Sequence, residues 1–528
     1  MQDYCSTGVH APTYHKDISV EPEEKNNTGD GLEAKQNEAK PQKLSVGQAI
    51  LKGLEETLDT FKAFLHAPRE ILGINLINIF EGMAYFGILT YLMLFMTKNV
   101  ELSDVHASWV VSGFLMLITL SQLFLGGVSD KVGPKKMLGI TIIILLISRI
   151  ILGSSELLFA SSGTGVGSIF FFVVCGSLLC AALAYGVFNP AIYSLTRMYS
   201  DKKTSAVSYA MLYAGMNLGA FIIGLLLPII RRAAGDQTDD AGKVISQGLL
   251  PGTNGISGAM IFIAGIMVIV LILYVVFIAR SKTKPFMDPK EESEDKPKSN
   301  VHLSLLDRIK AHPLADLKFD FFIFILIPVQ TLFAYQNILI PSYLERCYTE
   351  FPTISGNYET FSNLNPLIVF ISAPVIAALT AKQPVYKMMI IGTTVMAIPT
   401  FLLCLGTTPA TFLTFILIGS IGESMWQPRF LQHVTQIAPK EKIGAYVGIA
   451  NLPWFMTKFI VGLYVGFFME RFIPDLAKHP EATQMPETMW LIFACIAMIS
   501  PVALFLARKW MNPNGDKPSD EVPSADEL

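Results

Sequence analysis

Charge is the scarcest resource in this chain. Only 16% of its 528 residues are Asp, Glu, Lys or Arg, where a soluble domain carries about a quarter. The formal net charge of -3 offers no basic face to a nucleic acid. Cysteine is sparse as well, with six residues and no disulfide or metal spacing among them. Cys175, Cys180, Cys404 and Cys495 fall in apolar runs, Cys5 in the polar leader and Cys347 in a loop, so all six are expected as free thiols. The eight His are scattered, and neither a nucleophile motif nor a phosphate-binding loop occurs. The chain therefore does not read as an enzyme, and neither a cofactor nor a metal is expected.

The first 45 residues have no apolar core, which excludes a secretory signal. They read as a disordered tail. Asn26-Asn27-Thr28 fits a glycosylation pattern, but an interior tail makes that a chance match.

What the chain has in quantity is apolar runs. About 20 apolar residues cross a bilayer as a helix, and twelve such windows occur. They lie near 70–96, 106–128, 137–153, 165–196, 206–230, 256–280, 317–343, 363–381, 387–406, 411–433, 443–468 and 488–507. In lipid a backbone must satisfy its own hydrogen bonds, so these are helices. The predicted fold class is thus all-α integral membrane.

Lys and Arg gather in alternate loops: DKVGPKK (130–136), RMYSDKK (197–203), ARSKTK (279–284), AKQPVYK (381–387) and APKEK (438–442). The positive-inside rule makes these cytoplasmic, and with them both termini. Arg231-Arg232 breaks the pattern in an exterior loop, diluted by Asp236, Asp239 and Asp240. Residues 46–68 read as an amphipathic helix along the inner interface. The charged stretch 281–316 divides the chain into a six-helix bundle (69–280) and a second one (317–510), followed by a cytoplasmic tail at 511–528. This is the outline of a two-bundle transporter. A plasma or inner membrane is expected, with an organelle membrane left open.

GGVSDKVGPKK (126–136) resembles the signature loop of the major facilitator superfamily, through Gly126, Asp130, Lys131, Gly133, Lys135 and Lys136. In it Gly126 would let two helices approach closely, and Asp130 would pair with a base on a neighbouring helix. YGVFNP (185–190), YAGMNLGAF (213–221), FAYQN (333–337) with SYLER (342–346), FSNLNPLIVFISAPVIAAL (361–379) and IGESMWQPRF (421–430) resemble, in order, helices of the proton-coupled oligopeptide transporters. The resemblance implies two six-helix bundles, with helices 1, 4, 7 and 10 lining a site for small peptides. Protons would be a coupled partner.

NIFEGMAYFG (78–87) is where the chain departs from that family. Its first helix carries Glu-x-x-Glu-Arg-Phe-x-Tyr-Tyr-Gly. Here Asn78 replaces the first Glu, Glu81 keeps the second, and Gly82 replaces the Arg. Asn189 stands where the fourth helix has Lys, and Tyr335 where an acid often precedes Gln336.

Glu81 and Glu423 fall near the midplane of their helices, where a charge costs at least about 2.5 kcal/mol and marks function. Both are proton-coupling candidates, and Glu423 is also a candidate for the peptide amine. Lys458 is expected to reach Glu423 or to supply a cation missing from helices 1 and 4. Arg149 reads as structural or as the partner of Glu81, and Arg429 as a gate salt bridge or a snorkelling side chain. Candidate substrate contacts are Tyr85, Asn189, Tyr213, Asn217, Tyr335, Gln336, Asn365, Glu423 and Lys458, with Asn78 and Gln427 as further polar lining. Pro190, Pro328, Pro366, Pro428 and Pro453 are candidate bending points.

The expected function is a secondary transporter of small peptides or peptide-like solutes, coupled to protons. Two alternatives stay open: a proton-independent facilitator of another small polar solute, and a transport-inactive receptor docking an accessory membrane subunit.

Overall fold

In the computed structural model, residues 68–200, 205–238, 244–283, 285–286, 312–380, 383–439 and 443–512 are described. The expected tail 1–45, nearly all of the interfacial helix 46–68, most of the linker 281–316 and the tail beyond 512 lie outside these residues.

Among the described residues, twelve helical passages can be followed. They are α1 (Arg69–Lys98), α2 (Asp104–Leu125), α3 (Pro134–Phe159), α4 (Ile169–Tyr199), α5 (Ser205–Ala234) and α6 (Ile256–Leu273). Then follow α7 in three pieces (Leu317–Phe324, Ile327–Ile338, Ile340–Cys347), α8 (Leu364–Thr380), α9 (Val385–Ala397, extended by Ile398–Leu405) and α10 (Pro409–Ile437). The last are α11 (Ile443–Ala450 and Leu452–Phe472) and α12 (Pro486–Met511). Eleven of these passages are long and apolar enough to cross a membrane. The exception is α10, which is 29 residues long but carries Glu423, Gln427, Arg429, Gln432 and His433. An element absent from the sequence reading is a small antiparallel hairpin, Gln237–Thr238 against Val244–Ser246, in the loop after α5.

Local chemistry sets the helix ends. Ser103 caps α2 by accepting from His106 N–H, and Ser168 caps α4 by accepting from Phe171 N–H. Thr408 and Thr411 form a reciprocal capping box at α10. Gly133 turns the chain into α3 with φ of 104°, a value that a side chain would oppose. Proline acts unequally. The breaks in α7 precede Pro328 and Pro341, and the break in α11 precedes Pro453, where the missing N–H cannot continue the ladder. Val329 N–H, freed by the first break, donates to Ser500 Oγ at 2.9 Å. Pro190 and Pro428 sit within continuous helices.

In α1 the most apolar stretch is 78% buried, against 28–50% in the other ten apolar passages, so α1 is enclosed by protein rather than lipid. The loops rich in Lys and Arg define a basic end of the molecule, opposite a far end where the Asp104 and Glu359 ion pairs lie. There α2 and α11 cross so closely that a Cβ on Gly462 would lie 1.4 Å from Ser112 Oγ, and one on Gly466 2.5 Å from Asp104 O. Small residues at four-residue spacing permit this crossing.

Candidate substrate and coupling site

Glu81 has a cation. Arg149 of α3 donates from Nη2 to Glu81 Oε1 at 2.9 Å, and both side chains are buried. The Tyr185 hydroxyl of α4 donates to the same carboxylate oxygen and accepts from the same guanidinium nitrogen. The Tyr85 ring meets Tyr185 edge to face at 5.2 Å. Beside Arg149 lies a cavity of about 10 Å³, lined by Tyr85, Phe114, Ser148, Ser177 and Tyr185. The two departures in α1 fit this arrangement. A Cβ on Gly82 would stand in ordinary contact, 3.4 Å, with Met216 of α5, so α1 and α5 pack closely at this position. Asn78 donates to Leu212 O of α5 at 2.7 Å, so it ties two helices together.

The second acid is held differently. Asn365 Nδ2 of α8 donates to Glu423 Oε2 at 2.7 Å and to Ser420 Oγ at 2.9 Å. Gln336 joins these residues around a cavity of about 20 Å³. One turn along α10, Gln427 meets the Tyr213 hydroxyl of α5 at 3.4 Å, across the two bundles. Tyr213 is 44% exposed although bonded to the opposite bundle, so it faces the space between them. Asn217, one turn away, donates to Tyr213 O at 3.0 Å. Asn189 is half-buried on α4.

Three expectations require correction. Lys458 does not pair with Glu423, whose hydrogen-bond partner is Asn365. Tyr335 is fully buried, its hydroxyl bonded to Tyr464 and its ring stacked on Phe493 at 4.5 Å, so it faces α11 and α12. Arg429 makes no salt bridge among the described residues. It donates to Gln432 Oε1 at 2.7 Å and Thr380 O at 3.0 Å.

In the signature loop, Lys135 donates to Ser281 O at 2.8 Å and thus holds the start of α3 to the end of α6. Gly126 meets the Pro190 ring at an ordinary 3.4 Å, whereas the tight crossing of α2 and α4 falls at Gly186, where a Cβ would lie 2.5 Å from Ser121 Cβ. Lys131 is exposed in the short helix Val128–Val132. The pairing expected of the Asp130 side chain lies outside the described residues.

Sequence reading missed the far-end lock. Arg346 of α7 grips Asp104 of α2 with two bonds, 2.7 and 2.8 Å long. Arg231 of α5 donates to Glu359 at 2.5 Å, and Tyr91 of α1 donates to the same oxygen at 2.9 Å. Lys98 pairs with Glu345. This explains the Arg231 exception in the charge pattern: Glu359 neutralises that arginine. Among the described residues, polar bonds between α1–α6 and α7–α12 gather in this far half, apart from Tyr213–Gln427. The signal available in sequence was the presence of acids and bases at the loop ends of these spans, but not who pairs with whom.

The profile of the Major Facilitator Superfamily matches residues 74–456, most of the chain. The chain belongs to that superfamily. It is accordingly a transport protein of the multi-pass membrane type, not an enzyme. Solved structures with the same fold include a bacterial homologue of the human drug peptide transporters PepT1 and PepT2, at 16% identity over 85% of this chain and 99% of that one, with a TM-score of 0.61. Another is a POT family transporter in complex with a thioalcohol-conjugated peptide, at 15% identity over 84% and 97%, TM-score 0.59. The nucleoside transporter NupG is similar to the same degree in fold, at 12% identity over 83% and 99%, TM-score 0.61.

Proposed function

We propose that this superfamily member carries small peptides or peptide-like solutes by alternating access, with Glu423 as the acid of its central site. The observation that carries the reading is the Glu423–Asn365–Ser420 arrangement: a buried carboxylate oriented by an amide, with no ion-pair partner among the described residues. Such a group accepts an ammonium. The amides of Gln336, Asn217, Gln427 and Asn189 offer donors and acceptors suited to peptide NH and CO groups. The peptide transporters among the fold neighbours support this choice of solute.

The basic end is the cytoplasmic side in this reading. With the far end locked, the conformation is inward-facing. The bundles at 69–280 and 317–510 rock about the midplane, tethered by 281–316. Proton coupling runs through Glu423 rather than Glu81. Glu423 can exchange a proton without breaking an ion pair, whereas Glu81 is held by Arg149 and Tyr185.

The test is uptake into liposomes with and without an inward proton gradient. Di- and tripeptides should accumulate under the gradient. Glu423→Gln should show counterflow only at raised solute concentration, having lost the ammonium's partner, and no accumulation at any concentration; accumulation by that variant would overturn the coupling role. A second reading, a proton-independent facilitator of another polar solute, is favoured by the missing cations at Gly82 and Asn189. Counterflow of nucleosides or sugars, with none for peptides, would select it. No counterflow of any solute would leave docking of an accessory subunit.

A further inference from the structure

Two mid-membrane charges in the second bundle have no counter-ion among the described residues: Glu423 and Lys458. Glu81 and Arg149 cancel each other at 2.9 Å. Glu423 has only the neutral Asn365. The Lys458 ammonium has no hydrogen-bond or ion-pair partner among the described residues.

The direction of Lys458 follows from α11. Residues four apart drift by roughly 40° around a helix of 3.6 residues per turn. Gly466 and Gly462 face α2 at Asp104, Ser108 and Ser112. Trp454, on the same row, stacks on Trp426 of α10 at 6.4 Å and meets Phe333 of α7 at 4.9 Å. Lys458 lies between these positions. Its stem therefore leaves α11 between α2 on one side and α7 with α10 on the other, which is the space between the bundles. It stands one turn towards the basic end from the Gly462–Ser112 crossing, where the helices cease to touch so closely.

We propose that Lys458 is the specificity-determining cation of the site, holding the anionic end of the solute while Glu423 holds its cationic end. The substrate class is then a zwitterion with a free carboxylate. This rests on the reading of Glu423 given above. A solute with both charges neutralises two desolvated groups at once, while an uncharged analogue leaves one of them buried and alone, a source of strong discrimination. A lysine suits the role because its point charge on a flexible stem accepts carboxylates at varied distance. In the middle of α3 the Arg149 guanidinium is already engaged by Glu81.

The test uses the full-length protein in detergent, with binding read by thermal shift. The probes are a neutral dipeptide, its C-terminal amide, its N-acetyl form and a panel of free amino acids. The wild type should bind the dipeptide at least tenfold more tightly than the amide. Lys458→Met should weaken dipeptide binding at least tenfold, leave amide binding unchanged, and melt no lower than wild type when empty. Lys458→Arg should keep the preference for the free carboxylate. A lysine serving only as a structural ion pair would instead lower the melting point of the empty Met variant. A tenfold carboxylate preference surviving in Lys458→Met would overturn the inference; should that variant not fold, Lys458→Gln is read in the same way. If dipeptides do not bind but amino acids bind in a Lys458-dependent manner, the peptide reading falls and this inference stands. If no carboxylate-bearing probe shifts the wild type, the inference falls.

Discussion

Glu81 of α1 and Arg149 of α3 form a buried ion pair at 2.9 Å, with Tyr185 bonded to both. The pair joins three helices of the first bundle near the middle of the membrane. It gives the conspicuous acid of α1 both a cation and a hydroxyl as partners.

Removing either partner should leave a buried charge uncompensated, which costs about 3–5 kcal/mol. Glu81→Gln and Arg149→Met should each lower the melting temperature in detergent markedly. The double variant should recover much of that loss. Additive losses in the double-mutant cycle would show that the two groups act independently.

Gly462→Val would place new atoms on Ser112, where even a Cβ would lie 1.4 Å from the hydroxyl oxygen. The strain of overpacking, about 1–3 kcal/mol, can be relieved by parting α2 from α11. The expected result is a far end held open and slowed counterflow. Ser112→Ala should partly rescue it. Gly419→Ala, with its nearest atom at 3.9 Å, should be silent. Equal effects of both glycine substitutions would refute this account.

Asp104→Asn combined with Arg231→Gln should release the far-end lock. Arg346 and Glu359 would then be left buried with no ionic partner. Spin labels at the exposed positions Ser161 and Glu481 report on the far ends of the two bundles. The distance distribution between them should shift to longer values. An unchanged distribution would mean that apolar packing, not charge, keeps this end shut.

Tyr335→Phe and Tyr213→Phe should separate frame from cleft. The Tyr335 hydroxyl bonds to Tyr464 within the second half of the chain, so its loss should cost stability, on the order of 1 kcal/mol, with KM unaltered. Tyr213 faces the space between the bundles, so its loss should raise KM for the transported solute with little change in melting. The opposite pattern in uptake and melting assays would reverse the assignments.

Much of the fold was legible in the sequence because its determinants are local. Span length, hydropathy and the loop distribution of Lys and Arg are properties of short windows, and they placed the helices within a few residues. The main shift is α3, which runs to Phe159 and not 153 because SSELLF continues the helical ladder. The order of the motifs indicated the superfamily. The acids at 81 and 423 stood out because a carboxylate in an apolar run is costly wherever it occurs.

What each acid meets could not be read in the same way. Arg149 is 68 residues from Glu81, and Glu359 is 128 from Arg231. Such pairs depend on which helices cross and on how each is rotated about its axis. Rotation alone removed Tyr335 from the cleft and kept Tyr213 in it. The sequence by itself determined that this is a membrane-spanning helical transporter with two mid-helix acids, since burial in lipid constrains every residue of a span. Only the tertiary structure decided that one acid is neutralised and that the other has no ion-pair partner among the described residues, because Coulomb pairing acts through a few ångströms of space and not along the chain.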